Sequence, residues 1–230
     1  MTTQTAQQTT PQMTIAVLGA TGMVGSRVAT EAAGRGHRVL ALSRRPAGDE
    51  PGVTPVGVDA ADAGALRRAL SGAAPDAVVL AVRTFPADRE FLVGATRTVL
   101  DVAGEAGARV LVVGGAGALR SPGDGGPLVA DDPAYVPTEW RDVATAGVAQ
   151  LRTCEAHPAA DWAYLSPPAL LAPGDRTGRY RRGADTLLTA ADGRSWISAE
   201  DLAVATVDAL EAPGPDRHFT VVHADGIPSA

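Results

Sequence analysis

Residues 14–28, TIAVLGATGMVGSRV, constrain this chain more than any other stretch. Ile15 to Leu18 is a short unbroken apolar run, as in a parallel strand covered on both faces. Gly19-x-x-Gly22-x-x-Gly25 follows at once and opens a helical pattern. In that context Gly19 allows a tight turn, Gly22 lets backbone approach a pyrophosphate, and Gly25 lets helix and strand pack closely. The free N–H groups and positive end of the helix suit phosphate.

The same alternation continues downstream. After a helix ending near Gly34 to Gly36, residues 37–42 form a second strand, with His37 at its entrance in a structural role. Residues 53–58 form a third strand, 62–70 a short helix, and 76–82 a buried fourth strand. Residues 86–106 carry Leu92, Ala95, Val99, Val102 and Ala106 at helical spacing. Residues 109–113 are a fifth strand. A Gly/Pro-rich loop then runs to about Pro133, and Thr138 caps a helix to about Glu155. Cys154 falls on that helix's apolar face, as a buried small residue rather than a nucleophile. Residues 162–165 are a sixth strand that ends in Ser166-Pro167-Pro168. Ser198 starts a last helix, with Asp201 returning the capping bond and Ile197 stapling to Leu202; residues 219–222 are the last strand. Strands alternating with helices predict one α/β domain, a doubly wound parallel sheet over residues 13–230 with small C-terminal segments on the substrate side. Residues 1–12, Thr/Gln-rich and without a basic region or apolar core, predict a disordered tail and no signal peptide.

Ligands of such a sheet bind at the carboxyl ends of its strands. After the second strand stand Ser43, Arg44 and Arg45, where an acidic residue would bond the ribose 2′-OH of NAD. A hydroxyl and two guanidiniums match a 2′-phosphate, so NADP(H) is favoured over NAD(H). Asp59 after the third strand either bonds an adenine amino group or caps the next helix. Ala81, Val82 and Arg83 end the fourth strand; Arg83 faces a phosphate, a substrate anion or solvent. Arg176 to Arg182, RTGRYRR, reads as a flap over an anion or as a solvated loop. His218 and His223 have no partners at metal spacing, so no metal site is expected.

All 20 basic residues are arginine. Any chemistry that needs a lysine is therefore excluded: a P-loop lysine, a Schiff base, a Tyr-x-x-x-Lys pair. The net charge of −6 argues against nucleic acid or an anionic membrane as partner, and no apolar run has the length of a membrane span. One cysteine excludes an internal disulfide and points to the cytoplasm. The expected partner is a small-molecule substrate; no oligomeric state is implied.

The strand–GxxGxxG–helix order, the arginines after strand two, LVVGGAG after strand five, and the segments YLSPPALLAPGDRTGRYRRG and ISAEDLAVATVDALE together resemble one family over nearly the whole chain. They are similar to the atypical short-chain dehydrogenase/reductases known as NADH-flavin reductases or NAD(P)H-binding proteins, with biliverdin reductase B-like and NmrA-like proteins as relatives. That resemblance implies a Rossmann-type fold. It implies that Gly19, Thr21, Gly22, Met23 and Val24 contact pyrophosphate, and that Ser43 to Arg45 contact the adenosine phosphate. Asp59 would lie by adenine, Ala81 to Arg83 by ribose and nicotinamide, and Gly114, Gly115, Ser166, Pro167 and Pro168 at the nicotinamide end.

The chain departs from the catalytic members of the wider superfamily, which place a hydroxyl after strand five and a Tyr-x-x-x-Lys pair on the next helix. Here strand five ends in glycine, and Tyr135-x-x-x-Glu139 stands where the pair would be sought. Substrates whose reduced form is a stabilised anion need no such relay. The reading is an NADPH-dependent reductase of a flavin, quinone or conjugated molecule, with Tyr135 and Tyr180 as candidate proton donors and Glu139 behind them. A non-catalytic NADP(H) sensor and an isomerase, epimerase or dehydratase are the alternatives.

Overall fold

Short strands buried on both faces need helices above and below them, and this chain is layered accordingly. The computed structural model describes residues 11–48, 50–157 and 159–224. Its strands are β1 (Thr14–Leu18), β2 (Arg38–Ser43), β3 (Val53–Gly57), β4 (Ala77–Leu80), β5 (Arg109–Val113), β6 (Trp162–Ser166), β7 (Leu170–Ala172), β8 (Tyr180–Gly183), β9 (Trp196–Ser198) and β10 (His218–His223). Its helices are α1 (Met23–Gly34), α2 (Ala63–Ala73), α3 (Arg89–Glu105), α4 (Arg141–Glu155) and α5 (Ala199–Glu211). The main sheet has the order β3-β2-β1-β4-β5-β6-β10-β8, parallel except where β8 pairs with β10. This is the expected Rossmann-type sheet, with the first six strands in the 3-2-1-4-5-6 order that reverses direction beside β1.

Alternation along the strands builds two cores. Ile15, Val17, Val79, Leu111 and Leu165 face α1 and α5. Ala16, Leu18, Val78, Leu80, Val110, Val112 and Tyr164 face α2, α3 and α4. A one-residue slip in any strand would exchange the two sets, so burial on both faces pins the register.

Several boundaries differ from those the sequence predicts. Helix α3 starts at Arg89 rather than Pro86, because the Asp88 carboxylate caps it, accepting from Phe91 N–H at 2.9 Å. Thr138 makes no side-chain cap: residues 138–140 form a 3-10 turn that leads into α4. Ser198 does cap α5, accepting from Asp201 N–H at 3.0 Å. Asp201 does not return that bond; its carboxylate accepts from the N–H groups of Thr177 and Gly178, both at 2.8 Å. The strands β7, β8 and β9 are three or four residues long and leave no periodic signal. Residues 1–10 of the expected tail lie outside the described residues, while Gln12 Nε2 donates to Gly36 O.

A charged network ties α1 to α5. Arg35 Nε meets Glu31 at 2.8 Å, and its Nη1 meets Asp208 at 2.6 Å and Glu211 at 2.7 Å. His37, 3% exposed, accepts from Met13 N–H and contacts Glu211 at 2.8 Å, the structural role expected of it. Arg176 grips Glu31 through two nitrogens, and that guanidinium, with Arg35 behind it and burial opposing, holds Glu31 below the usual carboxylate range. Arg35→Ala leaves three partly buried carboxylates facing one another. We expect it to cost about 2 kcal/mol in urea unfolding at pH 7. A carboxylate whose folded pKa is depressed stabilises above its unfolded value and loses that contribution as pH falls through the folded value. The deficit of Arg35→Ala should therefore shrink below about pH 4.

Candidate functional site

The glycine turn is built by backbone packing. Gly19 has φ +86°, and a Cβ there would overlap the Ala81 carbonyl. Its N–H donates to Leu42 O at 3.0 Å, and the Ala81 N–H donates to Leu18 O at 2.9 Å. The turn is thus held between the exits of β2 and β4. A Cβ at Gly25 would overlap Gly19 O, so α1 can lie this close to the turn only with glycine there. Gly22 differs. Its φ of −82° suits any residue, and a Cβ would meet Gly19 O at 3.2 Å and Ala81 O at 4.0 Å, so a methyl there asks the turn to give by a few tenths of an ångström. Packing opposes a side chain at 22 far less than at 19 or 25, and close approach of a ligand to the backbone would be a further reason for glycine. The N–H groups of Met23, Val24 and Gly25 have no hydrogen bond among the described residues, no side chain caps α1, and no acid stands in its first turn. These are the terms of an anion-binding helix start.

The sheet order sets the other expected residues along the same edge. Asp59, Ser43 to Arg45, the glycine turn, Ala81 to Arg83, Gly114 with Gly115, and Ser166 to Pro168 follow β3, β2, β1, β4, β5 and β6 in spatial sequence. Ser43 is 6% exposed, and its Oγ has no hydrogen-bond partner among the described residues. Such an orphan hydroxyl costs free energy unless a ligand or water satisfies it. Arg44, Arg45 and Arg83 are exposed and make no ion pair among the described residues. Asp59 does not cap α2. Asp62 does, accepting from Ala65 N–H at 2.9 Å, while Asp59 closes its own turn on Ala61 N–H at 3.0 Å and leaves a carboxylate oxygen outward.

At the β5–β6 end the glycines admit an aromatic ring. Tyr164 is fully buried, and a Cβ at Gly114 would overlap its ring and hydroxyl. The hydroxyl donates to Gly147 O at 2.9 Å, and burial pushes its pKa well up. Beside it, Ser166 Oγ lies 2.9 Å from His218 Nε2, and burial lowers the His218 pKa, favouring the neutral ring.

The two candidate tyrosines separate. Tyr135 sits partly buried against Leu119, Val129 and Leu187, in the segment that follows β5. Tyr180 is turned away. It packs with the α1/α5 core, and its hydroxyl donates to Asp208 at 2.5 Å, the carboxylate that also holds Arg35 at the end of α1 remote from the glycine turn. Burial, then this bond, raises its pKa, so Tyr180 is withdrawn as a proton donor. The expected flap is corrected likewise. Arg176 is held by Glu31, Thr177 by Asp201, and Arg182 lies 3.9 Å over the Phe219 ring, so this stretch is a strap fastened to α1, α5 and β10. Cys154 is 0% exposed, and burial pushes its thiol up to about 12, as expected of an inert side chain. No metal-holding group of His, Cys, Asp and Glu occurs among the described residues. No helix there is long and apolar enough to cross a membrane.

A model of the NAD(P)H-binding family matches residues 19–213. The chain belongs to that family. Among solved structures, it is similar to a candidate exported protein from Burkholderia pseudomallei, 39% identical with a TM-score of 0.82, covering 92% of this chain and 100% of that one. A candidate epimerase from Bacteroides thetaiotaomicron is 31% identical with a TM-score of 0.83, covering 95% and 100%. A candidate NADH-flavin reductase from Streptococcus pneumoniae TIGR4 is 26% identical with a TM-score of 0.77, covering 92% and 99%.

Within this NAD(P)H-binding chain, sequence reasoning passed over Tyr164 and His218. Paired glycines after β5 signal close approach but do not say to what, and Ser166 and His218 meet only because β10 lies beside β6. The glycines give a direct test. Gly25→Ala forces a methyl into backbone and should cost about 3 kcal/mol of stability. Gly22→Ala should cost clearly less stability than Gly25→Ala yet weaken NADPH binding by about tenfold or more. Urea unfolding and NADPH fluorescence titration read the two effects.

Proposed function

We propose that this protein is an NADPH-dependent reductase of a flavin, quinone or other conjugated small molecule. The observation that carries the reading is the occupied space at Gly114. The residues expected to hold a dinucleotide follow one another along the edge from Gly19 to Ser166, and at Gly114, the first residue after β5, the Tyr164 ring fills the space a side chain would need, so no hydroxyl-bearing side chain fits there. Gly114→Ser would not restore one, because its Cβ meets that ring before its hydroxyl meets anything.

Gly19, Gly22 and the first turn of α1 hold the pyrophosphate, and Ser43 with Arg44 and Arg45 grips a 2′-phosphate. Gly114, Gly115 and the buried Ser166, Pro167 and Pro168 line the nicotinamide end. NADPH supplies two electrons and one proton as a hydride equivalent; the second proton of the reduced acceptor comes from water. A positioned acid contributes ~10² to 10⁴-fold where an alkoxide must be protonated. A flavin or quinone needs no such help, since its reduced anion is delocalised. Tyr135, in the segment after β5, is the tyrosine kept as a candidate to shield that end or to donate, and Tyr135→Phe separates the two roles. The relation to a candidate NADH-flavin reductase supports this reading, and the relation to a candidate epimerase supports the second, in which the bound nucleotide is used without net turnover.

The test is a fluorescence titration with NADPH and NADH, followed by absorbance assays of NADPH oxidation with FMN, a quinone and an enone. Acceptor-dependent oxidation with tighter NADPH than NADH binding is the expected result. The double variant Arg44→Ala/Arg45→Ala should lose about tenfold in NADPH affinity and little in NADH affinity. Tight binding without oxidation by any acceptor would overturn the reductase in favour of a sensor or an epimerase.

A further inference from the structure

Among the described residues the exposed large apolar side chains are Phe85, Trp140 and Leu170, at 73%, 45% and 54%. Single exposed hydrophobics scattered over a surface need no explanation. These are not scattered. Phe85 lies in the connection after β4, Trp140 ends the connection after β5, and Leu170 follows the prolines after β6. All three therefore stand beyond the carboxyl edge of the sheet, at its β4–β5–β6 end. Two of them touch: the Phe85 and Trp140 ring centroids are 5.7 Å apart, with the planes tilted by 39°.

The fold explains where this pair points. Helix α4 lies against the segment that leaves β5. A Cβ at Gly117 would come 2.7 Å from Ala144 O, and one at Gly147 would come 3.8 Å from Gly115 N. Trp140, Ala144 and Gly147 recur at i, i+4 and i+7, so they share one face of the helix. Trp140 stands about one turn, ~5.4 Å, beyond the last packed level of that face. It overhangs the exit of β5 as Phe85 comes up from the exit of β4. Gly114 and Gly115, half-buried at the exit of β5, put no side chain there. Arg83 in the β4 connection and Arg141 next to Trp140 are both exposed, with no ion pair among the described residues.

We propose that Phe85 and Trp140 form the stacking surface for the electron acceptor, and that this acceptor is a planar, conjugated ring carrying an acidic group, of the flavin mononucleotide class. The inference rests on the reductase reading for what lies beneath the pair, and adds the substrate's recognition. Tilted, half-exposed rings have faces free for an aromatic plane. The adjoining guanidiniums suit a phosphate or carboxylate at the rim of that plane. Among the described residues the other Phe, Trp and Tyr side chains are buried or half-buried.

The experiment measures ligand binding by the full chain, apart from turnover. FMN and riboflavin are titrated by quenching of their own fluorescence, and NADPH is titrated separately. The variants are the double Phe85→Ala/Trp140→Ala, Trp140→Phe and Arg83→Ala. Both rings are exposed, so melting temperatures should match the wild type and verify folding. The double variant should weaken FMN binding by about tenfold or more, while Trp140→Phe stays within about threefold. NADPH affinity should not change in either. FMN should bind more tightly than riboflavin, and Arg83→Ala should narrow that gap.

Unchanged FMN affinity in the double variant, or an equal loss of FMN and NADPH affinity, would overturn the stacking surface. So would a wild type that binds neither flavin. Equal affinity for FMN and riboflavin would remove the acidic group from the proposal. The underlying reading fails separately: FMN bound through the pair without NADPH oxidation by FMN, a quinone or an enone sinks the reductase and leaves the surface standing. Oxidation that persists undiminished in the double variant does the reverse.

Discussion

Three stretches of main chain meet where no Cβ fits. Gly19 lies against the Ala81 carbonyl, and Gly25 lies against Gly19. This contact sets how β1 enters its turn, how close α1 lies to the strand, and how β4 leaves the sheet beside them. Everything proposed for the site follows from that crossing. It presents the first N–H groups of α1 outward, without capping side chain or acid, and it aligns the exits of β2 and β4 on either side of the turn. Gly22 stands apart because a Cβ there would press on Gly19 O only mildly, at 3.2 Å, where those at Gly19 and Gly25 would overlap main chain.

At the other end of the same edge an aromatic ring takes the space a side chain at Gly114 would need. Tyr164 rises from β6 into the space under Gly114 and is fixed there by the Gly147 carbonyl. With its hydroxyl bonded and its ring fully buried, it acts as packing. The β5–β6 end of the edge is consequently made of glycine, proline and buried hydroxyl, with exposed aromatic surface at Phe85 and Trp140. A site of this composition favours acceptors that need a flat apolar neighbour over those that need a proton handed to them.

Much of this arrangement was legible in the order of residues. The glycine spacing, the apolar strands and the break at Ser166-Pro167-Pro168 each carry a local physical meaning. Sheet order then follows from short right-handed crossovers. Short elements carried no such signal: three residues of β7 or β9 show no period, and they pair only because α5 and the strap bring them together. Tyr180 illustrates the limit. In the sequence it stands in a basic stretch suited to a flap, and nothing local says that its hydroxyl will find Asp208 on α5.

What the sequence determined by itself was the class of fold, the glycine turn between β1 and α1, the basic residues after β2 and the lack of any lysine. These are statements about residue type and spacing within one or two turns of chain, where backbone sterics and periodicity decide. Tertiary structure alone decided which aromatic fills Gly114, which imidazole meets Ser166, which tyrosine stays near the site, and that Phe85 and Trp140 touch. Each of those is a meeting of residues far apart in the chain. Each depends on which strands lie side by side and which helix covers them, and that is settled by burying both faces of the sheet at once.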